Sequence, residues 1–160
     1  MELDLLVRNE SARKGLYRSD NLRRIGRRVC EGEGLRRRAE LSLLFCDDDF
    51  IRELNRQYRG KNEPTDVLSF GQLTDVTEAP DEGELVLGDI VISLETVENR
   101  TTGDRKAMRD DVRLLFCHGL LHLLGHTHET TADRSKMRDR QAQYLEIEPE
   151  SAWPGSEVAP

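Results

Sequence analysis

A chain of 160 residues with 36% apolar and 34% charged side chains reads as one globular domain, long enough to bury a core beneath a busy surface. Its net charge of −7 argues against an indiscriminate nucleic-acid binder. No apolar run is long enough to span a membrane, and "MELDLLVRNE" sets acids where a secretory signal needs basic residues.

From the start of the chain, residues 2–8 ("ELDLLVR") and 38–46 ("RAELSLLFC") read as strands. Between them, 19–34 opens on Ser19 and Asp20, repeats Leu22, Ile25 and Val29 at helical spacing, and stops at glycine. Strand, helix, strand in that order predicts a parallel crossover. Asp47, Asp48 and Asp49 offer an N-cap and favourable first-turn charge to a helix that runs to Arg59. A turn over 60–66 leads to a short strand, 67–70. Residues 71–83, rich in turn formers and without apolar periodicity, read as a loop or hairpin tip. A strand over 84–93 follows, in which Gly88 predicts a bulge or a close approach of backbone. Helices are expected over 94–100, 105–124 and 131–146. The Pro/Gly/acid-rich stretch 147–160 reads as a disordered tail behind a single domain of 1–146.

Cys30, Cys46 and Cys117 are scattered and form no CxxC pair. They read as reduced core cysteines, which favours a cytoplasmic home. Charge is uneven: residues 1–60 carry 14 Lys+Arg against 11 Asp+Glu, and 61–160 carry 10 against 20. The arginine clusters at 23–28 and 36–38, with Arg52, Arg56 and Arg59, offer phosphate a basic face. The plainer alternative, which composition favours, is that these arginines pair with nearby acids.

Every histidine of the chain, His118, His122, His126 and His128, falls within "LLFCHGLLHLLGHTHET" (114–130). His118 and His122, four apart, share one helix face, the spacing at which two imidazoles grip one ion. Gly125, at the helix end, lets the chain turn back so that a later side chain reaches the same face. The pattern H-x3-H-x2-G-x2-H has the ligand spacing of the metzincin zinc site and points to His128 as the third ligand. His126 takes that place instead if the helix runs on through Gly125. Three neutral imidazoles suit zinc, and nickel or copper would also bind. Three protein ligands leave a position for water, as in catalytic rather than structural zinc, and the chemistry this serves is hydrolysis. Cys117 points off the ligand face. A zincin peptidase carries its general-base Glu directly after the first histidine; Gly119 stands there, which argues against a peptidase.

"HGLLHLLGHTH" (118–128) resembles the HGxLHLxGxDH motif of the YbeY family, bacterial rRNA maturation factors described as metal-dependent endoribonucleases. "NRQYRGKNEPTDVLSF" (55–70) is similar to that family's PTDVLSF segment, and "LGDIVIS" (87–93) to its LGDI strand. Met137, Tyr144 and Leu145 resemble its closing helix. The likeness spans roughly 40–146 in family order. It implies an α/β (α+β) fold, with a small mixed β-sheet packed against helices and a central helix carrying HxxxH in a zincin-like site. It also implies one Zn2+ per chain on His118, His122 and His128.

Arg59 matches an arginine treated in the family as functionally essential. A guanidinium clamps phosphate bidentately and stabilises charge developing on it; the ordinary alternative is a surface ion pair with Glu63. Thr65 and Asp66 organise the turn before a strand or stand behind the site. Asp89 is a strand-start acid or a residue of the substrate cleft. Thr127 stands where the family has Asp, and can only weakly orient an imidazole. His126 beside it is available for a polar role. The general base is left unassigned, with Glu129 a candidate on proximity alone.

The expected function is a zinc-dependent, single-strand-specific endoribonuclease in rRNA maturation and ribosome quality control, cytoplasmic, with no membrane or DNA partner. Its partners would be rRNA and the small ribosomal subunit or its assembly proteins, with the arginines adding salt-sensitive attraction. Two alternatives stand beside it. One is a non-catalytic assembly factor with a structural zinc; the other is a hydrolase of small phosphoesters or amides.

Overall fold

Alternating burial along β1 (Leu3–Asn9) and β2 (Ala39–Cys46) marks strands with one face on a core and one turned outward. The structure, a computed structural model, describes residues 1–72, 83–157 and 159. Among these, four strands form one sheet in the order β1-β2-β4-β3, where β3 is Val67–Gly71 and β4 is Leu85–Ser93. β1, β2 and β4 run parallel, and β3 is antiparallel to β4, so the sheet is mixed as expected. The first crossover carries α1 (Ser19–Gly32), whose Leu22, Ile25 and Val29 are buried. Ser19 lies inside this helix and Arg18 takes the N-cap position.

The inner face of the sheet packs against α1 and α4 (Arg105–Leu123). Leu41, Phe45, Ile90, Ile92, Leu115 and Phe116 are fully buried there. Gly88 does both things predicted for it. The β2–β4 register steps from Glu40↔Val86 to Leu41↔Gly88, which leaves Leu87 as the extra residue of a bulge. Gly88 has φ 138°, and a Cβ there would strike the Phe70 carbonyl. The bulge resets the alternation: Ile90 and Ile92 join the core, while Asp89 and Val91 line the outer face.

On that outer face α2 (Asp48–Arg59) seals a small second cluster of Cys46, Ile51, Leu68 and Val91. Asp47 occupies the N-cap position but makes no capping bond. Its carboxylate instead accepts from the Ala12 amide at 2.9 Å and from Arg13 at 3.1 Å, since a cationic partner competes well with a helix amide. The helix ends on Gly60 at φ 70°. Two more helices follow β4: α3 (Leu94–Arg100), and α5 (Thr131–Leu145) after α4. All three cysteines are free and buried, and burial pushes their thiols up to about 12.

One expectation changes, and another falls largely outside the described residues. Most of the loop assigned to 71–83 lies outside the described residues, over 73–82. Residues 149–157 do not hang free: Pro149–Ser151 form a short 3-10 turn, and Ala152 is fully buried. The polar composition of this stretch suggests disorder, but it is fastened both by polar contacts and by apolar ones, with Ala152 and Pro154 buried and Trp153 packed against the core. No helix among the described residues is long and apolar enough to cross a membrane.

Candidate metal centre and substrate groove

Helix α4 is capped at its start by Asp104, whose carboxylate accepts from the Ala107 amide at 3.0 Å. At its end Gly125 takes φ 103°. The Gly125 amide bonds the His122 carbonyl at 3.1 Å and the His126 amide bonds the Leu121 carbonyl at 3.0 Å. This pair is a Schellman motif, and it throws the chain back over the last turn. The ring nitrogens of His118, His122 and His128 thereby come to lie within 4.8 Å of one another.

Two of the rings are aimed by hydrogen bonds from behind. His118 Nδ1 meets Gln141 Oε1 at 2.8 Å, and His122 Nδ1 meets the His126 carbonyl at 2.9 Å. Both acceptors are oxygens, so each Nδ1 carries the proton and each Nε2 presents its lone pair. The two Nε2 atoms stand 3.1 Å apart. Burial, with the neighbouring imidazoles adding to it, pushes His118 down to about 3. Burial and then His128 push His122 down to about 4, with Arg59 contributing a smaller push. Neutral, pre-aimed nitrogen donors are what a divalent transition metal needs. The triad fits such an ion.

Other expected residues fall in different places. His126 turns to Glu33 at the end of α1, and the Tyr144 hydroxyl donates to the other oxygen of the same carboxylate. Thr127 is exposed and donates to Asp133 at 3.0 Å, so its hydroxyl serves the first turn of α5 rather than an imidazole. Glu129 is exposed and its carbonyl accepts from Arg134. Gly119 has a structural reason for lacking a side chain. Ser69 donates to its carbonyl at 3.2 Å, and a Cβ there would lie 3.0 Å from Ser69 Oγ and 3.1 Å from Ile90. The sheet occupies the space a catalytic Glu would need.

Arg59 lines an open groove of about 950 Å³ on the outer face of the sheet, and its charge bears on His122. Phe50, Tyr58 and Phe70 line it too, with Asp89 midway along β4 rather than at its start. The ion pair with Glu63 does not form, and among the described residues Arg59 has no ion-pair partner. Its helix neighbours differ. Arg52 pairs with Asp49 at 2.9 Å and Arg56 with Glu53 at 2.5 Å. Arg38 binds Asp4, and Arg27 binds Glu31. Acid pairing thus accounts for part of the arginine-rich surface; Arg59 stands apart from it, as do Arg23, Arg24 and Arg36 among the described residues.

Asp66 is fully buried. It accepts from the Val67 amide at 2.7 Å, from Arg100 at 2.8 Å and from Ser156 at 2.6 Å. Thr65 is half-buried just before it.

Sequence reasoning missed Gln141, Glu33, Trp153 and Glu157. Gln141 is fully buried on α5, and a buried glutamine at one helical position carries no spacing signal. Replacing it by leucine is expected to lower zinc affinity about 10–100-fold, because the imidazole loses the acceptor that fixes its tautomer. Competition with a chromophoric chelator measures this; unchanged affinity would remove Gln141 from the site.

The chain matches the family model described as "Endoribonuclease YbeY" over residues 7–147. The match stops short of the segment bearing Trp153 and Glu157. A protein of Pelotomaculum thermopropionicum named "Endoribonuclease YbeY" is 42% identical over 124 residues, covering 78% of this chain and 82% of its own length. One of the same name from Desulforamulus reducens is 45% identical over 118 residues, covering 72% of this chain and 76% of its own. The solution structure of a Thermotoga maritima protein superposes with a TM-score of 0.58 at 26% identity, covering 94% of this chain and 89% of that one.

Proposed function

The chain belongs to the endoribonuclease YbeY family, and on that premise we propose that it is a zinc-dependent endoribonuclease that cuts single-stranded RNA in rRNA maturation and ribosome quality control. The observation that carries the reading is the convergence of three imidazoles, with Arg59, which has no ion-pair partner among the described residues, lining a groove while its charge bears on His122. His118, His122 and His128 would hold the ion, and zinc so held supplies a Lewis acid and an activated water for phosphodiester hydrolysis.

The protein's own residues do the rest. Arg59 grips the phosphate and fixes its orientation. Tyr58 is 66% and Phe50 49% exposed, and Tyr58 meets Phe70 edge-on at 5.0 Å. Exposed rings beside a phosphate-binding arginine suit unstacked bases, which favours single strands over duplex. On this reading the protein acts in the cytoplasm, with rRNA and the small ribosomal subunit or its assembly proteins as partners. Among the described residues the Glu129 carboxylate makes no hydrogen bond or ion pair with the triad, and the general base has no assigned residue.

A labelled single-stranded rRNA fragment tests this. Cleavage is expected to vanish on chelation and to return with one equivalent of zinc. Cleavage that survives chelation would belong to a contaminant. A second reading, an assembly factor with a structural metal, is favoured by one observation: Glu157 Oε2 stands 3.5 Å from His128 Nε2, where a fourth protein ligand would close the site. The scaffold argues against it, because Glu157 belongs to a strap laid over the domain and not to its helices or sheet.

A further inference from the structure

The segment that follows α5 crosses the metal site, and its residues 152–157 are tied down at several points. Ala152 is fully buried and its carbonyl accepts from the Gln141 amide, the same side chain whose oxygen aims His118. Trp153 stands edge-on to the His118 ring, with centroids 5.4 Å apart and planes at 89°. Gly155 lies against Arg100, where a Cβ would come within 3.0 Å of that side chain. Ser156 donates to Asp66 at 2.6 Å, and the Glu157 amide closes a turn on the Pro154 carbonyl at 3.2 Å. The path ends with the Glu157 carboxylate 3.5 Å from His128 Nε2. Two donors bound to one ion at about 2.0–2.1 Å in a tetrahedral array stand roughly 3.4 Å apart, so this separation is already that of a pair of ligands.

We propose that residues 152–157 form a strap over the metal centre and that the Glu157 carboxylate is a fourth, displaceable metal ligand. It holds the position through which a phosphodiester would reach the ion. The proposal rests on the reading that His118, His122 and His128 bind a divalent metal. In the arrangement seen, Glu157 stands at the rim on the His128 side: the mutually close ligand atoms are those of the three imidazoles. Closing the site requires the Glu157 carboxylate to move in from that rim toward His118 and His122. Glu157 is partly exposed, at 22%, and is not part of the core, so it can leave without unfolding anything. A carboxylate and a phosphodiester are both oxyanions; substrate and strap compete for the same place. This reconciles a protein ligand at the fourth position with a catalytic site.

The test uses the full chain and Co2+, whose visible absorption reports coordination. Trp153 is the one tryptophan of the sequence and stands beside a ligand ring, so its fluorescence gives an independent binding readout through quenching by the paramagnetic ion. Wild type is expected to bind one Co2+ with an intense, four-coordinate spectrum that changes when inorganic phosphate is added. Glu157→Gln is expected to bind Co2+ at least roughly tenfold more weakly, with a weaker spectrum that responds to phosphate at lower concentration. Glu157→Asp should recover part of the affinity. Identical affinity and spectra for wild type and Glu157→Gln would overturn the strap while leaving the triad intact. Failure of both to bind Co2+ would overturn the triad and the strap with it.

Discussion

Replacing His128 by alanine is expected to abolish stoichiometric zinc binding and to lower RNA cleavage about a thousandfold, whereas His126→Ala keeps one ion per chain. The magnitude follows from the metal's contribution of several kcal/mol to charge stabilisation, since each 1.36 kcal/mol is tenfold in rate. The contrast between the two variants follows from geometry. His128 comes back onto the face of His118 and His122, with its ring parallel to His118 to within 9°, while the His126 ring is held by Glu33. Only the backbone carbonyl of His126 serves the triad, and alanine retains it. His128 is also the cleaner ligand to remove. His118 is 1% exposed, and its loss would strand the Gln141 oxygen in the interior at roughly 1–3 kcal/mol. Zinc stoichiometry after gel filtration, measured beside cleavage of a labelled fragment, separates the cases. If His126→Ala lost the ion and His128→Ala kept it, the ligand set would be wrong.

The triad was legible in the sequence because its cause is local. An i, i+4 pair on a helix and a glycine after it fix where three side chains go, whatever the remainder of the fold does. The sheet was legible for the same kind of reason: the alternation in β1 and β2 and the glycine at 88 are signals within a few residues. What supports the triad was not legible. Gln141 reaches His118 across 23 positions and Glu33 reaches His126 across 93, and pairs of that kind are created only by tertiary packing. The sequence offers Asp66 as a turn former or a residue behind the site, and its buried partnership with Arg100 and Ser156 has no local signature either. The residues after α5 misled for a related reason. Proline, glycine and acids usually mark a chain with too little apolar surface to fold, but here Ala152 is buried and Ser156 and Glu157 have partners on the domain. Gly119 was read correctly as the lack of a base. Its reason, the contact with Ser69 and Ile90, belonged to the sheet on the other side of the helix.

Arg59→Ala is expected to lower the rate of RNA cleavage about 10²–10³-fold, the scale for removing one donor to developing charge, while zinc binding stays as in wild type. The two halves of that outcome together identify a substrate-binding role, since a residue that merely stabilised the fold would lower both. Arg59→Lys keeps the charge but loses the planar fork, so it should recover only part of the rate. Arg56→Ala provides the internal control. It removes the same formal charge from the same helix, but Arg56 is neutralised by Glu53 at 2.5 Å, and its loss should change cleavage by no more than about twofold, as expected for an exposed pair worth less than roughly 1 kcal/mol. Salt dependence gives a second discriminator. Loss of a phosphate contact reduces the slope of log affinity against log salt by about one, so Arg59→Ala should flatten RNA binding while Arg56→Ala leaves the slope unchanged. Equal effects from both variants would mean that RNA responds to the general field of the arginine-rich surface, and the groove that Arg59 lines would lose its claim to the scissile phosphate.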